Sequence, residues 1–272
     1  MRHLTQILAV LLFVHLAMSM SSSQQPVIEK ADQPKARADQ NSLTAHQQLL
    51  EKGKQGKIDI YFEGDSITRR WGTSDEQYKH FYENWRANFF GWNAADFGWG
   101  GDTTQNVLWR LANGELDNIN PKIIVLLIGT NNVGNKSPVE NDPRFTEIPR
   151  GVKAILDQFR QKAPRAKIVL MGIFPRNDNM AVMPIINSVN SEIAKFADGK
   201  QIRFLNINDK MAGKDDKLFE GIAVPDGLHL DVKGYQVWAD ALKPIFREIL
   251  GPPAKVDQAP PPTGDPSAKK PG

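Results

Sequence analysis

Apolar residues fall along this chain in two alternating patterns. Five short runs, Lys57–Phe62, Asn93–Phe97, Lys122–Ile128, Ala166–Met171 and Ile202–Ile207, read as strands. In the third, Ile123 to Ile128 are apolar without a break, as expected of a strand covered on both faces. Between and after the runs, apolar positions recur every three or four residues. That spacing predicts helices over Asp75–Phe89, Thr104–Leu111, Ile148–Phe159, Met180–Phe196 and Val232–Leu250. The last stops at Gly251 and Pro252, and Pro244 inside it predicts a kink or a division. Alternation of this kind implies right-handed crossovers and a parallel sheet between two helical layers. In such folds the reactive groups sit in the loops that follow the strand C-terminal ends.

The patterned region does not fill the 272 residues. Met1 to Ser23 has Arg2 and His3 ahead of an apolar stretch, Ile7 to Ala17, and then small residues, the order of a secretory signal. The stretch is shorter than the ~20 residues of a membrane span, so no stable span is expected in the mature chain. Residues 24–44 are polar and read as a flexible leader, and 252–272 are proline-rich and read as a disordered tail. Residues 45–251 remain as one domain. The chain has no cysteine, so export would bring no disulfides. With a net charge of only +3 and no dense basic run, nothing points to nucleic acid.

Three of the loops after strands carry unusual chemistry: Gly64-Asp65-Ser66, Gly98 to Thr104, and Gly129-Thr130-Asn131-Asn132. Each alone is ordinary turn composition. Near the end of the domain, Asp226 and His229 stand three residues apart, and with Ser66 they could supply a nucleophile, a base and an orienting carboxylate. The rival chemistries are thinner. Asp226, His229 and Asp231 could ligate a divalent ion, but no further donors are evident, and no metal or organic cofactor is expected. Gly98 to Gly101 could cradle a phosphate but lacks a P-loop lysine. Trp71, Trp99 and Trp109 could form a sugar platform, although aromatic residues usually fill cores. Asp65 reads as structural, and His46 and His80 as surface or helix-face residues.

Gly-Asp-Ser-Ile, Gly-Gly-Asp-Thr, Gly-Thr-Asn-Asn and Asp-x-x-His, in that order, resemble the SGNH superfamily of GDSL esterases and lipases. The likeness runs from Lys57 to Leu250. Residues Asn106 to Leu116 are most similar to the branch containing the catalytic subunits of intracellular platelet-activating-factor acetylhydrolase. This resemblance implies a three-layer α/β/α sandwich, flavodoxin-like, with a five-stranded parallel sheet in 2-1-3-4-5 order. It also implies Ser66 as nucleophile, His229 as base and Asp226 as its partner. The oxyanion hole would take the N–H groups of Ser66 and Gly101 and the side chain of Asn131.

The expectation is therefore a secreted serine esterase, periplasmic or extracellular. It would hydrolyse small acyl esters, acetyl above all, of a small-molecule or carbohydrate alcohol. Ile67 and Leu228 are expected to flank the site, and Leu230 and Tyr235 to hold the Asp226–His229 loop. A lysophospholipase-type acylhydrolase and a non-catalytic carbohydrate-binding protein are the alternatives. The sequence leaves the oligomeric state open.

Overall fold

The computed structural model describes residues 29–268, and the expected signal segment lies outside them. Strands β1 (Ile60–Gly64), β2 (Ala94–Asp96), β3 (Ile123–Leu127), β4 (Lys167–Met171) and β5 (Ile202–Leu205) form one sheet in the order β2-β1-β3-β4-β5. Every pairing is parallel, and Phe62 lies beside both Asp96 and Val125. Helix α1 (Gln40–Gly53) precedes β1, and α2 (Ser66–Gly72) and α3 (Lys79–Phe89) lie between β1 and β2. Helix α4 (Thr104–Ala112) leads to β3, α5 (Thr130–Val133) and α6 (Arg144–Lys162) to β4, and α7 (Met183–Ile193) to β5. Helices α8 (Asn208–Met211) and α9 (Val232–Leu250) follow.

The period of two along each strand divides the apolar side chains between two cores. Ile60, Phe62, Ile123, Val125 and Val169 pack with Trp85 and Phe89 of α3 and Trp238 and Phe246 of α9. Tyr61, Ile124, Leu126, Ile168 and Leu170 pack with residues of α4, α6 and α7, among them Leu111, Phe159 and Val189. This is the expected α/β/α sandwich, with its sheet in the expected order.

Several boundaries differ from the sequence reading. Strand β1 starts at Ile60 and continues past Phe62 to Gly64, with Glu63 buried and paired to Arg110. Helix α9 runs unbroken through Pro244, since Leu242 and Phe246 anchor both sides of the proline in one core. His46 is not a surface residue: it is buried, with Nε2 3.2 Å from the carbonyl of Asn113.

The two flanking segments depart furthest. Helix α1 starts at Gln40, inside the expected leader, with the Asp39 carboxylate accepting the Ser42 N–H at 2.8 Å. Residues 29–39 lie against the domain, where Ala31 is buried and the Lys35 N–H donates to the Gln105 carbonyl at 3.0 Å. The described tail, residues 252–268, also lies against the domain, and Asn41 Nδ2 of α1 donates to Asp265 Oδ1 in it at 2.9 Å. There the Ala254 N–H donates to Gly91 O at 2.9 Å and the Lys57 N–H to Gln258 O at 2.8 Å. Pro260, Pro261 and Pro262 border a cavity with Ala94, Ala95 and Asp96 of β2. Strand β2 is a sheet edge, and exposed edges are commonly covered by other chain. Composition reports apolar content, whereas backbone hydrogen bonds hold these segments.

One buried ionic cluster ties β1, α4 and the loop after β2 together. The Arg110 guanidinium donates to Asp102 Oδ2 at 2.9 Å, to Glu115 Oε1 at 2.6 Å, to Phe97 O at 2.8 Å and to Glu63. Burial raises the Glu63 pKa to about 7 and that of Asp102 to about 6, against the pull of Arg110. Arg110→Met therefore strands three buried carboxyls, a loss of about 3–5 kcal/mol by analogy with broken buried pairs. Urea unfolding at neutral pH measures it, and a loss below about 1 kcal/mol, the scale of an exposed pair, contradicts this account.

Candidate active site

The site forms where the crossover direction changes, between the C-terminal ends of β1 and β3. Gly64 is required there by close approach: a Cβ on it would lie 2.3 Å from both Leu127 O and Thr68 Oγ1. Asp65 then caps α2, its Oδ1 accepting the Ile67 N–H at 2.9 Å, so Asp65 is structural as expected. Ser66 is the first residue of α2, a position whose N–H has no partner within a helix.

Ser66 Oγ lies 2.8 Å from His229 Nε2. On the far side of the ring, His229 Nδ1 lies 2.7 Å from Asp226 Oδ2. Asp226 Oδ1 accepts the N–H groups of Leu228 and His229, both at 2.9 Å, so the acid shapes the loop that carries the imidazole. Partial burial works against the Asp226 charge, but these N–H groups and the His229 ring outweigh it and hold its pKa below the ordinary value. Tyr235 Oη donates to Ile67 O at 2.8 Å, fastening α9 to the serine's helix, and Leu230 is buried behind the loop.

The second loop is stitched to the first, and the third to the second. The Trp99 N–H donates to Gly64 O at 3.0 Å. Asn131 Nδ2 donates to Asp102 O at 2.8 Å, and Asn132 Oδ1 accepts the Thr104 N–H at 2.9 Å. A Cβ on Gly100 would stand 3.9 Å from the Ser66 Cβ, which puts the Gly100-Gly101 turn beside the serine. Among the described residues, no protein acceptor takes the N–H of Ser66 or of Gly101. The five residues singled out from the sequence thus stand on three loops and one helix approach at the same sheet edge.

Some neighbours differ from expectation. Ile67 is buried in the core and does not flank the site, whereas Leu228 is half-buried there. Trp99 is no open platform: its Nε1 donates to Ser42 Oγ at 2.8 Å and the Arg69 guanidinium covers its ring at 4.6 Å. Asp231 caps α9, and no cluster of three or more His, Cys, Asp or Glu suited to a metal occurs among the described residues.

Two groups escaped the sequence reading. The loop after β4 is a fourth contributor: the Asn177 N–H donates to Gly227 O at 2.7 Å, and Arg176 joins Asp178 at 2.6 Å to Asn135 at 2.6 Å. Its apolar lead-in, Ile173-Phe174-Pro175, was the available cue. Arg70, one turn after Ser66, places Nη1 3.4 Å from Asp226 Oδ2. Burial, then the Arg70 charge, lowers the His229 pKa from 6.5, while Asp226 pulls it upward. Arg70→Gln removes a cation that disfavours the imidazolium, so the His229 pKa is expected to rise. An NMR titration of the ring checks the sign, and a fall would show that Arg70 acts mainly otherwise.

The model of the GDSL-like Lipase/Acylhydrolase family matches residues 62–237. The chain is 32% identical over 235 residues to the platelet-activating factor acetylhydrolase IB subunit alpha2 of Rattus norvegicus, covering 86% of this chain and 93% of that one. It is 30% identical over 233 residues to the alpha1 subunit of Homo sapiens, covering 85% and 94%. Its fold is shared with a GDSL-like lipase from Bacteroides thetaiotaomicron, with a TM-score of 0.56 and 20% identity over 70% of this chain and 88% of that one. The chain therefore belongs to the GDSL-like lipase/acylhydrolase family, and it is a GDSL-type ester hydrolase.

Proposed function

We propose that the protein is an exported serine esterase that removes acetyl groups through an acyl-enzyme on Ser66. The observation that carries this reading is the 2.8 Å contact of Ser66 Oγ with His229 Nε2, backed by Asp226 at 2.7 Å. A serine hydroxyl attacks poorly until a base takes its proton. His229 Nε2 receives that proton as Ser66 Oγ bonds to the ester carbonyl carbon. The oxygen then becomes negative between the Ser66 N–H, the Gly101 N–H and the second hydrogen of Asn131 Nδ2. His229 passes the proton to the departing alcohol, and a water deprotonated by the same ring releases acetate and frees the serine.

Acetyl is favoured by the name the relatives share, that of an acetylhydrolase. Export rests on the pattern of Met1 to Ser23. For the alcohol we favour a carbohydrate hydroxyl, because the mouth is polar and open. Asp226, the partner of His229, is exposed, and so is Asn177, whose N–H holds the same loop at Gly227 O. A phospholipid acetyl ester is the second reading, favoured by the relatives' names.

The acyl test is a series of p-nitrophenyl esters from acetyl to octanoyl, with kcat/KM expected to fall as the chain lengthens. Higher turnover of octanoyl than of acetyl would overturn the acetyl assignment. Acetate release from acetylated xylo-oligosaccharides and from platelet-activating factor then separates the two alcohols.

A further inference from the structure

The segment before α1 crosses the Gly98–Thr104 loop on the side away from Ser66. Thr104 Oγ1 donates to Ala31 O at 2.8 Å, and Asn106 Nδ2 to Lys35 O at 3.0 Å. Two residues on, Arg37 turns its guanidinium onto the turn itself. Its Nη1 donates to Gly100 O at 2.8 Å and lies 3.4 Å from Asp102 Oδ1, while Nη2 lies 3.3 Å from Asp39 Oδ2. A Cβ on Gly101 would meet Arg37 Nη1 at 2.9 Å, whereas a Cβ on Gly100 would point towards Ser66. The turn is therefore held between the serine on one side and the arginine on the other.

We propose that Arg37 is a positioning residue that fixes the Gly100–Gly101 peptide in the orientation needed to present the Gly101 N–H to the reacting oxygen. The Gly100 carbonyl and the Gly101 N–H are the two ends of one planar trans peptide and point in opposite directions. Anchoring the carbonyl to Arg37 therefore aims the N–H at the opposite face, where Ser66 lies. Two consecutive glycines, with Gly101 at φ +78°, are the residues least able to resist a flip of that plane. A flipped peptide would put a carbonyl, not a donor, towards a developing negative charge. Asp102 holds the far side of the turn through Arg110, but its side chain does not touch the Gly100 carbonyl. Arg37 precedes the stretch that the family pattern spans. The role falls to a part of the chain that composition marks as leader.

This inference rests on the proposed roles of Ser66 and Gly101, so its test carries a control for them. In the full chain, Arg37→Ala is assayed on p-nitrophenyl acetate beside Ser66→Ala. Arg37→Ala is expected to lower kcat about 10–30-fold, less than outright loss of an oxyanion donor, with KM changed less than about twofold. Its thermal midpoint should stay close to that of the parent, because Arg110 still neutralises Asp102. Guanidinium chloride at tens of millimolar should restore part of the lost kcat in Arg37→Ala and none in Ser66→Ala, with sodium chloride as the salt control. Arg37→Lys, which keeps one donor for the carbonyl, should fall between. If Ser66→Ala is inert while Arg37→Ala keeps the parental kcat, Arg37 has no positioning role. A kcat loss that follows a lowered melting midpoint, without guanidinium rescue, also overturns it. A fully active Ser66→Ala removes the underlying site assignment instead.

Discussion

Ser66→Ala is expected to lower kcat on p-nitrophenyl acetate by about 10⁵–10⁶-fold, the scale seen when a nucleophile acting as one unit with its base is removed. The substitution isolates chemistry from folding unusually well. Among the described residues the Ser66 side chain's one hydrogen-bond partner is His229, and neither the cap of α2 by Asp65 nor the tie from Tyr235 to Ile67 involves it. The melting midpoint should therefore hold, and the His229 ring should still meet Asp226. A rate equal to the parent's would exclude an acyl-enzyme on Ser66 and remove the site assignment. A small residual rate above water is expected, since the oxyanion donors remain in place.

Much of this arrangement was legible before any coordinates, and for a physical reason. A parallel sheet buried on both faces demands unbroken apolar runs such as Ile123 to Leu127, and its crossovers fix where the strand ends gather. Residues that must stand at those ends in tight loops, namely Ser66, Gly101 and Asn131, leave compact and ordered marks. What stayed hidden acts through single polar contacts. Glu63 lies outside the apolar run that marks β1, and the partner that lets it be buried in the strand, Arg110, lies 47 positions away in the chain. Arg37, Arg70 and Arg176 carry no periodicity and resemble any solvated arginine until the fold sets them against a carbonyl or a carboxylate. The tail was misjudged for a related reason: proline-rich chain lacks the apolar content of a core, yet it can lie along a sheet edge through the donors and acceptors it keeps.

Asn131 marks the place where legible sequence and hidden geometry meet, and Asn131→Ala is expected to lose about 10²–10³ in kcat, the range for one oxyanion donor. Its amide has two hydrogens. One is committed to Asp102 O at 2.8 Å, which orients the group from behind and leaves the other for the reacting oxygen. Truncation therefore removes a donor and also frees the Asp102 carbonyl, a stability loss of about 1 kcal/mol for one hydrogen bond. Urea unfolding and steady-state kinetics on the same variant separate the two effects. Asn131→Asp sharpens the contrast: it keeps the shape but brings negative charge towards a developing oxyanion, so it should be slower than the alanine variant. If instead Asn131→Ala keeps its kcat and loses only stability, Asn131 is a tether between the second and third loops. The negative charge would then rest on the Ser66 and Gly101 N–H groups alone.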